Sequence, residues 1–209
     1  MKVLVACEYS GTVRDAFAAL GHDATSCDLL PTDRPGKHYQ GDVFDIINDG
    51  WDLMIAHPPC THLAVSGAKH FHRKESEQAA ALDFVRRLLD APIQCIALEN
   101  PVSVISSKIR KPDQIIQPYM FGHEATKTTC LWLKNLPRLL PTKIVSKGER
   151  VVTSGGKSLP KWYNLPPSPD RWKIRSATFQ GIADAMAAQW GKDGLIRQYK
   201  ESVQLHLNF

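Results

Sequence analysis

Residues 1–28 read MKVLVACEYSGTVRDAFAALGHDATSCD, and the order of patterns within them decides the fold. KVLVAC at 2–7 is a short apolar run rich in β-formers. A glycine turn at Gly11 follows, and then TVRDAFAALG at 12–21, an amphipathic stretch with Gly21 placed to end a helix. DATSCD at 23–28 reads as a second strand ending on an acid. Strand, turn, helix and strand in succession begin a wound α/β sheet. The opening, with its single Lys2, could pass for a weak leader peptide, but the turn and amphipathic stretch directly behind it favour a first strand.

The same alternation continues down the chain. DLMIA at 52–56 is a buried strand running into HPPC at 57–60. Residues 75–90 carry helical spacing through Ala79, Leu82, Phe84, Val85, Leu88 and Leu89. QCIAL at 94–98 is a further strand, running into Glu99-Asn100-Pro101. This predicts an α/β fold, a parallel sheet with helices on both faces, whose ligands lie beyond the carboxyl ends of the strands. From about residue 105 the pattern changes. TTCLWL at 128–133 is a strand, and QGIADAMAAQW at 180–190 is a closing helix. Between them, residues 137–173 hold six of the fourteen prolines plus Gly148, Gly155 and Gly156, and read as an irregular basic segment. The expected organisation is a catalytic domain of 1–136 with 174–209, and a small recognition segment of 137–173.

Composition narrows the function classes. The 209 residues suffice for one domain with a sizeable core, and 43% apolar content is ordinary for a globular chain. No apolar run reaches the roughly 18 residues that a bilayer span needs, so a cytoplasmic protein without a membrane partner is expected. The cysteines Cys7, Cys27, Cys60, Cys95 and Cys130 are odd in number, scattered and without a CxxC pair, which argues against a disulfide framework or a zinc knuckle. His57, His62, His70 and His72 lie near Cys60 but not at zinc-finger spacing, so no metal is expected. Net charge is +5, while residues 143–175 alone carry eight Lys/Arg against two Asp/Glu. The basicity therefore belongs to one segment and suits a polyanion. Lys143, Lys147, Arg150, Lys157 and Lys161 are the candidate phosphate contacts, with Trp162, Tyr163 and Trp172 as aromatic surfaces among the cations.

Several residues at strand ends carry possible chemistry. Glu8-Tyr9-Ser10-Gly11 is either an ordinary strand-to-helix turn or a cradle for a nucleotide-like ligand, where glycine permits close approach and the helix N-terminus offers N–H groups. Asp28 either receives ribose hydroxyls or is a solvated turn acid. Asp42, in GDVFD at 41–45, is a second candidate for the adenosine end, and Asp45 could cap the next helix. Cys60 follows tandem prolines that restrict φ, so its thiol is held in place at a loop tip, a poor position for a buried structural cysteine. Glu99 either protonates a heteroaromatic ring nitrogen or pairs with a surface cation.

Taken together, HPPC at 57–60, Glu99-Asn100, the opening CEYSGTVRDAFAALGH, Asp28 and GDVFD resemble the cytosine-5 DNA methyltransferase family. QGIADAMAAQWG at 180–191 is similar to that family's final motif, a turn and helix packing beside the first motif. The resemblance covers most of 1–135 and 174–191. It implies a Rossmann-like S-adenosylmethionine-dependent sheet with a donor site of Tyr9, Ser10, Gly11, Asp28, Asp42 and Pro58. It also implies cytosine-containing DNA as partner, Cys60 as nucleophile and Glu99 as the group at ring nitrogen 3. Three features depart from the family: His57 replaces the usual glycine, Pro101 the usual valine, and the Gln-x-Arg-x-Arg motif is missing. Lys127 and neighbouring hydroxyls stand in its place. With its recognition region shrunken to 137–173, the chain looks like a compact, bacteriophage-type member of short or relaxed sequence selectivity.

The implied reaction is chemically coherent. Attack of the thiolate on carbon 6 makes carbon 5 enamine-like, able to take a methyl group. The base must first leave the duplex, at a cost of a few kcal/mol. Two other readings stay open: the same chemistry on a free pyrimidine nucleotide or RNA, and a catalytically decayed DNA-binding protein.

Overall fold

The computed structural model describes residues 1–68, 74–153 and 155–192, with the side chains of 162 and 163 outside the description. His70, His72, the Trp162 and Tyr163 rings, and the end of the expected catalytic domain therefore lie outside the described residues. The parallel half of the sheet consists of β1 (Lys2–Ala6), β2 (Asp23–Asp28), β3 (His38–Gln40), β4 (Leu53–Ala56) and β5 (Cys95–Pro101). β6 (Gln114–Ile116) and β7 (Thr129–Lys134) complete a seven-stranded sheet of order β3-β2-β1-β4-β5-β7-β6. The helices are α1 (Thr12–Ala19), α2 (Glu75–Leu89), the one-turn α3 (Ile105–Lys108), α4 (Arg171–Ser176) and α5 (Gln180–Trp190).

Helices cover both faces, which is why the central strands are apolar at nearly every position. Val3, Val5, Leu53, Ile55 and Leu131 point to one face and pack with Phe17 of α1 and with Ile182, Met186 and Trp190 of α5. Leu4, Met54, Ile96, Leu98 and Trp132 point to the other and pack with Leu82, Val85 and Leu88 of α2. The alternation follows the two-residue period of a strand. As its motif implied, α5 packs against α1. The start of α5 is possible only with glycine at 181: a side chain there would run into the Phe121 carbonyl, and the Gly181 N–H donates to His123 Nε2 at 2.8 Å.

The α/β class and two-faced helix cover hold, with one revision of direction. The chain leaves β5, runs out to the edge as β6, and returns between them as β7, which is antiparallel to both. This return also lengthens β5. β4 ends opposite Leu98, but Glu99, Asn100 and Pro101 go on to pair with Leu131, Cys130 and Thr129. Glu99 thus stands on a strand that overhangs its neighbour, not in a loop after the strand. The basic segment is more ordered than its prolines suggested. It contains a hairpin of β8 (Arg150–Val152) and β9 (Ser158–Pro160), and α4 runs across the expected boundary at 173. No helix among the described residues is long and apolar enough to cross a membrane.

Candidate active site

In the sheet order, the winding direction reverses between β1 and β4, and a crevice opens beyond the carboxyl ends of such a pair. The chain leaves β1 through Cys7, whose φ of 58° lies in the left-handed region, and turns at Gly11 with φ 71°. Glu8, only 5% exposed, folds back over the first turn of α1. Its carboxylate accepts from Val13 N at 2.7 Å, Arg14 N at 3.2 Å and Ser10 Oγ at 3.2 Å. A buried anion on these donors suits the positive end of the helix. It also revises the sequence expectation, because these N–H groups serve Glu8 and are not offered to a ligand. Ser10 and Gly11 shape this turn, and a side chain at 11 would strike the Arg14 guanidinium.

Arg14 itself was not singled out from the sequence, since it stands in an amphipathic helix like any surface cation. It is 1% exposed. Its guanidinium donates to Asp15 Oδ1, Ser26 Oγ, Thr32 Oγ1 and the carbonyls of Arg34 and Pro35, pinning the 32–36 loop beside the turn.

A cavity of about 250 Å³ lies between the ends of β1 and β2 and the start of the HPPC loop. Asp28 and Asp42 both line it, together with Leu29, Val43, Phe84, Pro59 and His62. Two sequence-predicted donor acids are thus brought to one apolar cleft, although 14 residues separate them in the chain. Tyr9, Ser10, Gly11 and Pro58 do not line this cavity. Pro59 stands at the wall, while Pro58 is buried behind it and its carbonyl accepts from Asn100 Nδ2 at 2.9 Å. Asp42, not Asp45, caps the following helical turn, accepting from Phe44 N at 3.0 Å. Asp45 instead receives the Tyr39 hydroxyl at 3.1 Å. His62 is an addition: its Nδ1 is buried without a protein partner. Buried polar atoms are normally satisfied, so this nitrogen is a group for a ligand to engage.

Cys60 is the exposed cysteine of the five; Cys27, Cys95 and Cys130 are buried and Cys7 half-buried at the cavity wall. The Cys60 carbonyl receives Leu63 N and Ala64 N, which turns the chain sharply after the thiol. Backbone bonds from Val65 N to Val102 O and from Val104 N to Leu63 O then lace this loop to the segment after β5. Packing around the loop and the nearby Glu99 carboxylate push the thiol up, while Lys127 and Arg175 pull it down. Burial pushes Glu99 upward too, but the His57 hydrogen bond and the Lys127 charge outweigh it and leave the carboxyl below its usual range. Glu99 Oε2 stands 3.2 Å from His57 Nδ1. Cys60, Glu99 and Lys127, the three sequence-predicted catalytic residues, therefore share one electrostatic neighbourhood. The Lys127 ammonium donates to the Arg175 carbonyl at 3.0 Å and the Ala177 carbonyl at 3.5 Å. It thereby ties the end of α4 to the crevice.

α4 is also held from the turn after β1. The Tyr9 hydroxyl meets Ser176 Oγ at 2.8 Å, and the Tyr9 ring lies 5.6 Å from the Trp172 ring. Tyr9 is thus a fastening for α4. The five candidate phosphate contacts are all exposed but not equivalent. Lys161 pairs with Glu149 at 2.7 Å, and Arg150 donates to Ser158 across the hairpin. Lys147 sits 5.7 Å over the Tyr119 ring.

The sequence matches no protein-family profile, and no curated protein matches it. Among solved structures, the chain is similar to a presumed DNA modification methyltransferase encoded within a prophage of E. coli. The TM-score is 0.49 at 17% identity, over 70% of this chain and 52% of the other. This chain thus spans about half the length of that neighbour.

Proposed function

We propose that this chain methylates carbon 5 of cytosine in DNA, using S-adenosylmethionine and a transient covalent bond from Cys60. The observation that carries the reading is the adjacency of two sites at one sheet edge. The thiol of Cys60 with Glu99 and Lys127 occupies one side of the HPPC loop, and the cleft holding Asp28 and Asp42 occupies the other, with Pro59 at the wall between.

The cleft fits the adenosine end of the donor. Leu29, Val43 and Phe84 offer apolar walls to a flat heterocycle, and the two carboxylates can accept from ribose hydroxyls and an exocyclic amine. When bound there, the donor supplies an electrophilic methyl group. The chain's own residues do the rest. Exposed at its loop tip, Cys60 can reach a base that has left the duplex. Its thiol, held high, must ionise before attack, because the thiolate is the nucleophile. The carbon 6–sulfur bond then forms, and the ring electron pair moves onto carbon 5. Glu99 is the carboxyl that would engage ring nitrogen 3, and Lys127 offsets the charge that Glu99 and the thiolate bring together.

A duplex carrying 5-fluorocytosine tests this. Fluorine cannot be removed as a proton, so the reaction stalls after methyl transfer. The expected product is a protein–DNA adduct that survives a denaturing gel and requires S-adenosylmethionine. Cys60→Ser should give none while still binding DNA, and Glu99→Gln should slow adduct formation by about 100-fold. Fluorinated RNA and the free nucleotide, run alongside, separate the substrates. Methylation of an exocyclic amine without any adduct would overturn the carbon 5 assignment.

A further inference from the structure

His57 is the residue by which this crevice differs most from the pattern it resembles, and its surroundings give it a task. It follows β4 directly, held by a bond from its N–H to the Ala6 carbonyl at 2.9 Å. Its imidazole is 12% exposed and the facing Glu99 side chain 15%. Nδ1 meets Glu99 Oε2 at 3.2 Å, while Nε2 is buried with no protein partner. A purely structural histidine in such a place would have both ring nitrogens satisfied. Among the described residues, the charged and titratable groups around the pair are few. Lys127 and Cys130, from the approach to β7 and from β7 itself, act on Glu99; Cys60 and, through it, Arg175 of α4 complete the set.

The chemistry proposed above leaves a proton unaccounted for. When the thiolate adds to carbon 6, the ring nitrogen 3 gains electron density and needs a proton. Glu99 cannot supply one from its own store, because the environment keeps it ionised. The group in hydrogen-bond contact with Glu99 is His57.

We infer that His57 is the proton reservoir of this site, passing its Nδ1 proton through the Glu99 carboxyl to ring nitrogen 3 as Cys60 attacks. The inference rests on the cytosine reading above. The balance is complete. Imidazolium, carboxylate, thiolate and neutral cytosine become neutral imidazole, carboxylate and a protonated covalent adduct. The thiol's own proton has gone to solvent from the exposed loop tip. After methyl transfer a water molecule takes the carbon 5 proton, the carbon–sulfur bond breaks with its electron pair leaving on the Cys60 thiolate, and the nitrogen 3 proton returns along the same path to His57. His57 is thus a positioning and proton-supplying residue that acts through Glu99.

The test is the pH dependence of kcat/KM for methyl transfer to duplex DNA, followed over about pH 5 to 10. Wild type should give a bell. Its rising limb reports ionisation of Cys60 and its falling limb the loss of the His57 proton. His57→Asn keeps an N–H near Nδ1 but cannot titrate. It should lose the falling limb, keep the rising one, and run about 100-fold slower below the bell's maximum. His57→Gln should behave likewise, and nitrogen-15 imidazole spectra of the wild-type protein provide a readout that needs no variant. His57 should be protonated on the acid side and lose its proton at the pH where the wild-type profile bends and the variant profiles do not. An unchanged bell in the variants, or a His57 that is neutral throughout, overturns the inference. The 5-fluorocytosine adduct separates this from failure of the parent reading: an adduct with an unchanged bell sinks His57 alone, whereas no adduct sinks both.

Discussion

The carboxyl edge of the sheet and the basic segment differ in what holds them. At the edge, Cys60 and Glu99 sit on backbone that is fixed twice, by strand pairing beneath and by loop-to-loop bonds above. Leu63 and Ile105, buried completely, fill the space under those loops. The hairpin of β8 and β9 pairs with no strand of the main sheet and is backed by the turn that follows it. It carries exposed Val152 at 73% and is closed mainly by its own ladder and by Arg150 and Lys161 on its surface. Its neighbour α4 has no buried side chain, and the Lys127 and Tyr9 fastenings and the Lys173–Asp33 ion pair are among the contacts that hold it. The first region thus meets the demand that catalysis makes for sub-ångström placement, and the second suits contacts that tolerate adjustment.

The greatest effect should come from loosening the rigid edge without touching its reactive atoms. Asn100 is 1% exposed and donates to the Pro58 carbonyl, so it joins β5 to the loop that carries Cys60. Asn100→Ala leaves that carbonyl buried and unpaired, at a cost of about 1–3 kcal/mol in unfolding experiments. Turnover should fall by roughly 100-fold, because a displacement near 1 Å suffices for that. Affinity for the donor, whose cleft lies on the other side of the loop, should change little. A variant with wild-type turnover would show that the loop does not depend on Asn100, and the contrast between the two regions would weaken.

The donor cleft should respond next. Asp28→Ala and Asp42→Ala should each weaken S-adenosylmethionine binding by about 1–3 kcal/mol in calorimetry. Both side chains also receive a local backbone N–H, from Leu30 and Phe44, so a control is needed for turn disruption. Asp45→Ala serves: it breaks the Tyr39 contact in the same turn but does not face the cleft, and affinity should hold. Equal losses in all three variants would assign the effect to the turn rather than to ligand contact.

Much of the sheet was legible because burial on both faces leaves continuous apolar strands between glycine and proline signals. The short edge strands β3 and β6, three residues each, carry too little pattern to be read. Nor does an apolar run record direction, so the antiparallel return of β7 could not be seen in TTCLWL. Among candidate site residues, Cys60 stands out in the sequence through its two prolines, Asp28 through its strand-end position and Asp42 through its turn-like surroundings. Arg14 does not stand out, and Glu8 and His62 do so only as members of a turn and of a histidine group, for a common reason. Each is a polar side chain whose role depends on folding back onto backbone or cavity wall, and helical or strand periodicity marks such residues only as polar. Pro58 was named where Pro59 lines the cleft, because alternation within an extended loop cannot be assigned to a face without its neighbours.

The smallest effect should lie in the basic segment, and its pattern matters more than its size. Each phosphate neutralised contributes about 0.9 to the slope of log affinity against log salt on duplex DNA. Were the five cations equivalent, any two substitutions would flatten the slope equally. The structure makes them unequal. Arg150 is engaged within its hairpin and Lys161 with Glu149, so both must give up a local partner to meet a phosphate. Lys143 and Lys157 are both exposed. Replacing Lys143 and Lys157 by Gln should therefore flatten the salt slope by close to two phosphate equivalents. Replacing Arg150 and Lys161 should flatten it by less and should lower the stability of the hairpin instead. Donor affinity should be unchanged in both pairs, since the cleft lies at the sheet edge and contains none of these residues. Equal slopes for the two pairs would show that the hairpin rearranges on DNA and releases its cations. An unchanged slope in both would move the DNA contacts to other surfaces of the chain.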